Sequence, residues 1–145
     1  MSYAPPAGPL KYITKTVAFT GAAGLGQLAS PTVSVFTTTG EVFVGLIVGR
    51  CTESFTSAGG GTLALGVVGG TTLFIGATTA TALTTTADIW ASTTPNAFGI
   101  AAPAALKDIV IRGNVIMTVG TADVTDGTLE IHCYYMPLSA GSGLA

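Results

Sequence analysis

The longest stretch of alternating apolar and polar residues runs from Lys107 to Pro137, near the end of the chain. Successive side chains of a strand point to opposite faces, so alternation with period two predicts half-buried strands. Two β-rich runs in this stretch flank the segment GTADVTDG, which ends at Gly127. We therefore expect a long central hairpin in which Asp126 and Gly127 supply the positive φ before the second strand.

Each run of this hairpin separates its side chains into two faces. One face contains Ile109, Ile111, Val115, Met117 and Val119 in the first run, and Leu129, Ile131, Cys133 and Tyr135 in the second. The other, mixed face contains Arg112, Asn114, Glu130, His132 and Tyr134. We expect the apolar face to enter the core and the mixed face to meet a neighbouring subunit.

The rest of the chain contains shorter strand patterns separated by glycine, proline and threonine. Further strands are predicted over Lys11–Thr20, Thr32–Thr38, Glu41–Arg50, Thr62–Val68, Thr71–Ile75 and Asp88–Ala91. The segment Glu41–Arg50 is apolar on both faces, which is typical of a central strand covered on both sides. The pair Gly69 and Gly70 predicts a tight hairpin turn. The fold class expected is all-β, an antiparallel β-sandwich of jelly-roll type.

Three regions follow from composition along the chain. Residues 1–10, MSYAPPAGPL, hold three of the seven prolines and predict an extended arm, either disordered or lying along another subunit with Tyr3 as its aromatic contact. Residues 11–138 form the single β-sandwich domain. Residues 139–145, SAGSGLA, form a small-residue tail that is flexible unless it docks.

The low charge is the most informative property of the composition. Charged residues make up 8% of the chain, against roughly 25% in ordinary soluble proteins, and mean hydropathy is +0.65. A surface with so few charges tends to associate, so we expect a symmetric oligomer or a place in a larger assembly. The alternative is a small soluble β-domain whose threonines solvate it.

Nucleic acid and membranes are not the expected partners. The five Lys and Arg residues are scattered, so no basic patch is available to neutralise phosphates. No apolar run approaches the ~18 residues that span a bilayer. The first ten residues lack the charged and apolar regions of a secretory signal, and we expect a protein made in the cytoplasm.

No catalytic residue, metal ligand or cofactor site is predicted. His132 is the one histidine, and Glu130 shares its strand face, but a catalytic or metal centre needs more groups than this pair. Cys51 and Cys133 are expected to be buried free thiols, with a disulfide between them as the alternative. Trp90 is expected to anchor the core or an interface, and less often to serve as a platform for a sugar. The candidate interface residues are Tyr3, Pro5, Pro6, Trp90, Arg112, Glu130, His132 and Tyr134.

Four phrases resemble a known group of proteins. They are KTVAFTGAAGLG from Lys15, TLALGVVGGTTLFIGATTATAL from Thr62, PAALKDIVI from Pro103 and YYMPLS from Tyr134. Together these phrases resemble small all-β structural proteins of tailed bacteriophages, over most of the chain from Lys15 to Ser139. The N-terminal arm lies outside the resemblance, which transfers no site residues.

The resemblance implies a virion structural protein, present in many copies on a particle. The first hypothesis is a capsid decoration or cement protein that forms a homotrimer or similar ring and binds the major capsid protein between capsomers. The second is a tail or fibre module that recognises a host glycan through Trp90 or the tyrosines. A small jelly-roll coat protein is the third.

Overall fold

The computed structural model describes residues 10–145, and the predicted arm therefore lies outside the described residues except for Leu10. Within this range strands dominate, with 55% strand and 4% helix, which confirms the antiparallel all-β class. The strands are β1 (Lys11–Ala18), β2 (Thr32–Phe36), β3 (Thr38–Thr39), β4 (Val42–Thr56), β5 (Thr62–Val67), β6 (Gly70–Thr79), β7 (Ile89–Trp90), β8 (Ile109–Ile111), β9 (Val115–Gly120), β10 (Asp126–Pro137) and β11 (Gly143–Leu144). Two single 3₁₀ turns, Ala80–Ala82 and Ala104–Leu106, are the helices of this range, and neither is long enough to cross a membrane.

The strands form two main sheets, and the architecture includes a curled half-barrel sheet. The five-stranded sheet has the order β1-β10-β4-β7, with β8 also paired to β4. The four-stranded sheet has the order β2-β9-β5-β6. Most connections along the chain pass from one sheet to the other, and β5 and β6 are the consecutive strands that pair directly.

One apolar core joins the two sheets. Strand β4 lies at the centre of the five-stranded sheet, as its apolar sequence predicts, with β10 on one side and β7 and β8 on the other. The expected cover on both faces is wrong within residues 10–145, because the second face of β4 is only half-buried there. The largest fully buried side chains come from both sheets and from the loops between them: Trp90, Ile47, Leu63, Leu65, Ile75, Leu83, Leu106, Met117, Leu129, Ile131, Val33 and Val42.

The predicted hairpin over Lys107–Pro137 is wrong, although its strands are present. Strand β9 belongs to the four-stranded sheet and pairs with β2 and β5, while β8 and β10 both pair with β4. Alternation specifies which side chains face the core. The predicted hairpin and the observed pairing in separate sheets bury the same side chains, so alternation does not distinguish them. Pairing is set by the turn, and the connection between β9 and β10 is too long to fix it.

The faces predicted for these strands are confirmed in large part. Leu129, Ile131 and Cys133 are fully buried, and in β9 Val115 and Met117 are also fully buried. Asn114 departs from the prediction, because it lies in the crossing between the sheets. Its side-chain oxygen accepts a hydrogen bond from the backbone N–H of Thr38 at 2.9 Å.

A β-bulge at Gly45 changes the face pattern predicted for β4. The register passes from Val44 opposite Tyr135 to Leu46 opposite Tyr134, which leaves Gly45 unpaired. Val44 and Ile47 therefore both enter the core, whereas alternation alone places Ile47 on the other face from Val44.

The short hairpin between β5 and β6 is confirmed, but its turn is one residue earlier than the predicted Gly69 and Gly70. Val67 pairs with Gly70, so Val68 and Gly69 form the turn, and Gly69 has a φ of +91°. Strand β6 continues beyond the predicted end at Ile75 as far as Thr79, in agreement with the preference of threonine for extended backbone.

Residues 143–145, at the end of the tail predicted to be flexible unless it docks, are docked in the structure. Strand β11 pairs with β3, and Leu144 is 7% exposed. Thr37 and Ala145 also exchange both backbone hydrogen bonds, at 2.8 and 2.9 Å. The apolar side chain of Leu144 explains the docking, because its burial holds the two-residue strand in place.

Candidate interaction surface

The outward side of the five-stranded sheet is a broad apolar and aromatic surface, here called the outer face. Register and alternation place on it Tyr12, Thr14 and Thr16 of β1, Glu130, His132, Tyr134 and Met136 of β10, Phe43, Leu46, Val48 and Arg50 of β4, and Val110 of β8. Most of these side chains are half-buried or exposed, in contrast to the opposite face of the same strands. A sheet that carries large apolar groups on its solvent side is suited to contact another surface.

An aromatic cluster of Tyr12, His132 and Tyr134 lies on the β1 side of the outer face. Strand pairing sets Tyr12 opposite Tyr134, and their ring centroids are 5.1 Å apart at 39°. The rings of Tyr12 and His132 stack at 5.9 Å and 21°. Such cross-strand aromatic pairs stabilise a sheet, and they leave the two tyrosines 47% and 46% exposed.

Hydrogen bonding gives the histidine ring a fixed orientation. The Tyr12 hydroxyl lies 2.5 Å from Nδ1 of His132, and Nε2 of His132 lies 3.7 Å from the Glu130 carboxylate. When Nδ1 accepts from the tyrosine, the ring proton is on Nε2 and faces Glu130. The cluster therefore offers a partner the exposed ring surfaces of its two tyrosines, with the Tyr12 hydroxyl paired to His132.

Charged groups lie at the two ends of the outer face. Register places Glu130 beside Arg50 at one end, and Arg50 contacts Asp88 at 3.5 Å. At the other end Arg112 forms an ion pair with Glu41. These exposed pairs contribute little to stability, but together with the apolar centre they give the arrangement of a protein interface, with an apolar middle and a polar rim.

The structure brings together four of the predicted interface residues. Glu130, His132 and Tyr134 are on consecutive outward positions of β10, and Arg112 follows β8 at the far end of the outer face. Tyr3, Pro5 and Pro6 lie outside the described residues.

The structure corrects the prediction that Trp90 is an interface residue, because its side chain is fully buried and presents no surface to a partner. Its indole N–H donates to the Thr78 hydroxyl at 3.0 Å. Gly49, the pairing partner of Trp90 on β4, has no side chain and leaves space for the ring. Trp90 is therefore a core anchor, which was one of its two expected roles, and it offers no platform for a sugar.

Two exposed aromatic residues were not among the candidates. The role of Tyr12 depends on the pairing of β1 with β10, which no local pattern reveals. Phe98 is completely exposed at the tip of a loop in which Asn96 accepts hydrogen bonds from the N–H groups of Phe98 and Gly99. The sequence NAFG contains the residues of such an asparagine turn, and this signal was available.

The two cysteines are free and buried, as expected. They face the same side of adjacent strands, but Cys133 pairs with Ile47 and Cys51 pairs with Leu129. Four residues of strand therefore separate them, roughly 13 Å along the sheet, which is too far for a disulfide. Burial raises the pKa of Cys51 to about 11 and that of Cys133 to about 12.

Within residues 10–145 no pocket is present, and no three His, Cys, Asp or Glu side chains are grouped to hold a metal ion. Comparison of the chain with protein-family models, with curated proteins and with solved structures finds no match.

Proposed function

We propose that this chain is a structural subunit of a tailed-phage virion, and specifically a capsid decoration or cement protein. The observation that carries the proposal is the outer face, an apolar and aromatic surface on a chain with only twelve charged residues. The resemblance of the sequence to small structural proteins of these phages directs the proposal to the virion.

The proposed mechanism is mass action. A subunit that binds the assembled shell, and not its separated components, stabilises the shell by RT ln(1 + [L]/Kd) without any chemistry. A stable contact needs about 800 Å² on each partner. The outer face extends over four strands and roughly 23 Å along β4 from Phe43 to Arg50, so it provides a large part of this area.

We also propose that the two sheets pack as a jelly-roll-like sandwich and that subunits form a homotrimer or similar ring. The passage of the chain between sheets at most connections supports the sandwich, because Greek-key arrangements connect their sheets in this way. The low charge of the chain supports the ring, because surfaces with so few charges tend to associate.

Copy number in purified virions tests the location. Hundreds of copies per particle, measured by gel densitometry against the major capsid protein, are expected for a decoration protein. A dozen or fewer copies would assign the chain to a tail or vertex, and absence from purified virions would overturn the virion proposal.

The role of the outer face is tested by adding purified protein to particles that lack it. Val110→Asp places a charge on the outer face outside the aromatic cluster, at a side chain that is 55% exposed, so we expect the affinity for the shell to fall at least about tenfold. Thr72→Asp is the matched control, because Thr72 is exposed on β6 of the other sheet. Equal occupancy of the particles by the wild type and Val110→Asp would show that the outer face does not contact the shell.

A glycan-binding tail or fibre module is the second candidate, and the half-exposed pair of Tyr12 and Tyr134 is the observation that favours it. Aromatic rings at this exposure can stack on a sugar. Shifts of the tyrosine ring resonances during titration with host glycans would support this function over the decoration role.

A small coat protein, the third candidate, differs from both in that the purified chain would assemble closed shells alone.

A further inference from the structure

Leu10 shows how the chain enters β1. Its two methyl carbons lie so close to Gly45 that a Cβ at that position would be 3.4 Å from each. Gly45 is on β4, and β10 lies between β4 and β1. Leu10 therefore lies over the outer face, and it fills the shallow depression that the bulged glycine leaves there.

The aromatic cluster is not covered by Leu10. Tyr12 and Tyr134 keep almost half of their surface exposed, and their rings lie on the β1 side of the face. The side chain of Leu10 lies against Gly45, on the β4 side of the cluster. To cover Tyr12 of the same copy, a segment that precedes Leu10 would have to reverse direction, because Tyr12 is only two residues after Leu10.

The residues before Leu10 have the composition of a ligand for such a cluster. The segment Ala4–Pro9, APPAGP, contains three prolines, and residues 1–9 carry no charged side chain. Proline-rich segments bind grooves lined by aromatic residues because proline restricts φ in advance and reduces the entropy lost on binding. At 3.1 Å per residue, nine residues in polyproline conformation would reach about 28 Å, which is enough to extend along the outer face of a second copy.

We infer that Ala4–Pro9 of one copy binds the aromatic cluster of Tyr12, His132 and Tyr134 on a second copy. The contact is heterologous, because the segment and the cluster are different surfaces of the chain, and repeated heterologous contacts close into rings. This inference deepens the proposed function by assigning the contact that builds the ring. Its test uses purified protein without particles, so it can fail while binding to a shell stands.

Two full-length variants test the inference by complementation in sedimentation velocity experiments. Pro5→Gly/Pro6→Gly removes the rigid ligand and keeps the cluster. Tyr12→Ala/Tyr134→Ala removes the cluster and keeps the ligand. Each variant alone is expected to lose self-association at least tenfold, and an equimolar mixture is expected to recover heterodimers, because one variant supplies the cluster and the other the segment.

Three controls make each outcome decisive. Phe98→Ala, which alters an exposed aromatic residue outside the outer face, should associate like the wild type. A peptide of residues 1–10 should dissociate the wild-type oligomer, and the same peptide with glycine at positions 5 and 6 should not. Thermal unfolding of both double variants should remain cooperative, since the two tyrosines are half-exposed.

Recovery in the mixture together with inhibition by the peptide would establish the contact. A mixture that recovers nothing would overturn the inference, and so would a proline variant that associates normally. A wild-type protein that stays monomeric at its highest soluble concentration would overturn it as well.

Discussion

Gly127 occupies a backbone position that excludes any side chain. Its φ is +120°, and a Cβ there would lie 2.5 Å from the ring of Phe55. We expect Gly127→Ala to lower the free energy of unfolding by about 2–4 kcal/mol, because backbone strain adds to overpacking in the core. Urea denaturation of the two proteins measures the difference.

Gly60 provides the matched control for this substitution. Its φ is also positive, at +70°, but nothing lies within 4 Å of a Cβ at that position. Gly60→Ala should therefore lower the free energy of unfolding by only about 1 kcal/mol, because the strain of a positive φ is then the one cost. Equal losses at the two positions would contradict a role for the Phe55 contact.

The buried thiols predict a loss of stability at alkaline pH. The pKa values of Cys51 and Cys133 rise from 9.0 to about 11 and about 12. Below pH 9 both thiols are protonated in the folded and unfolded states, so they add no pH dependence. Between pH 9 and 11 only the unfolded state releases these protons, and each thiol should reduce stability by about 1.4 kcal/mol per pH unit.

The variant Cys51→Ala/Cys133→Ala isolates this effect, because its lysines and tyrosines still titrate as in the wild type. We expect the free energy of unfolding to fall less steeply with pH in the variant, because its unfolded state releases about two fewer protons. Urea unfolding followed from pH 8 to 11 measures this slope. Parallel curves would show that the thiols are not protected by the core.

At the scale of single residues, sequence patterns predict which side chains are buried better than they predict which side chains contact each other. Alternation identified Leu129, Ile131 and Cys133 as buried, because one face of a strand must be apolar if it covers a core. The same reasoning could not find the contact of Tyr12 with His132, since that contact requires the register of strands from opposite ends of the chain.

Among the elements, strand β11 makes the clearest prediction. Deletion of residues 143–145 removes the buried side chain of Leu144 and the backbone hydrogen bonds between Thr37 and Ala145. We expect the free energy of unfolding to fall by about 2–4 kcal/mol, from lost burial and lost hydrogen bonds. Thermal and urea unfolding of the shortened chain measure this change.

Leu144→Ala separates the two contributions, because it keeps the backbone pairing and removes most of the buried side chain. It should account for the larger part of the loss. If the shortened chain were as stable as the full chain, the docked residues 143–145 would contribute nothing to stability.

The positions of the strands could be predicted from the sequence, while their pairing could not. A two-residue turn joins β5 to β6 and leaves one way for them to pair, so that hairpin was identified correctly. Between β9 and β10 the chain has room to cross to the other sheet, and no local signal distinguishes this path from a hairpin. The bulge at Gly45 was missed for a similar reason, because one unpaired residue does not alter composition.

For the whole molecule, low charge was the property that pointed toward the candidate surface. It indicated that part of the surface is apolar, but not which part. The pairing of β1, β10 and β4 assembles the outer face from three distant segments of the chain. The candidate site is therefore a property of the fold, and only Arg112 and its residues on β10 were recognised from the sequence.

The long-range pairing of β10 also determines when the protein can fold. Strands β1 and β4 both pair with β10, which is synthesised after them. Because non-local pairing must close long loops first, we expect folding in milliseconds to seconds and no stable five-stranded sheet in a nascent chain that ends before Asp126. Protease resistance of ribosome-bound chains of increasing length tests this expectation, and early resistance of β1 and β4 would contradict it.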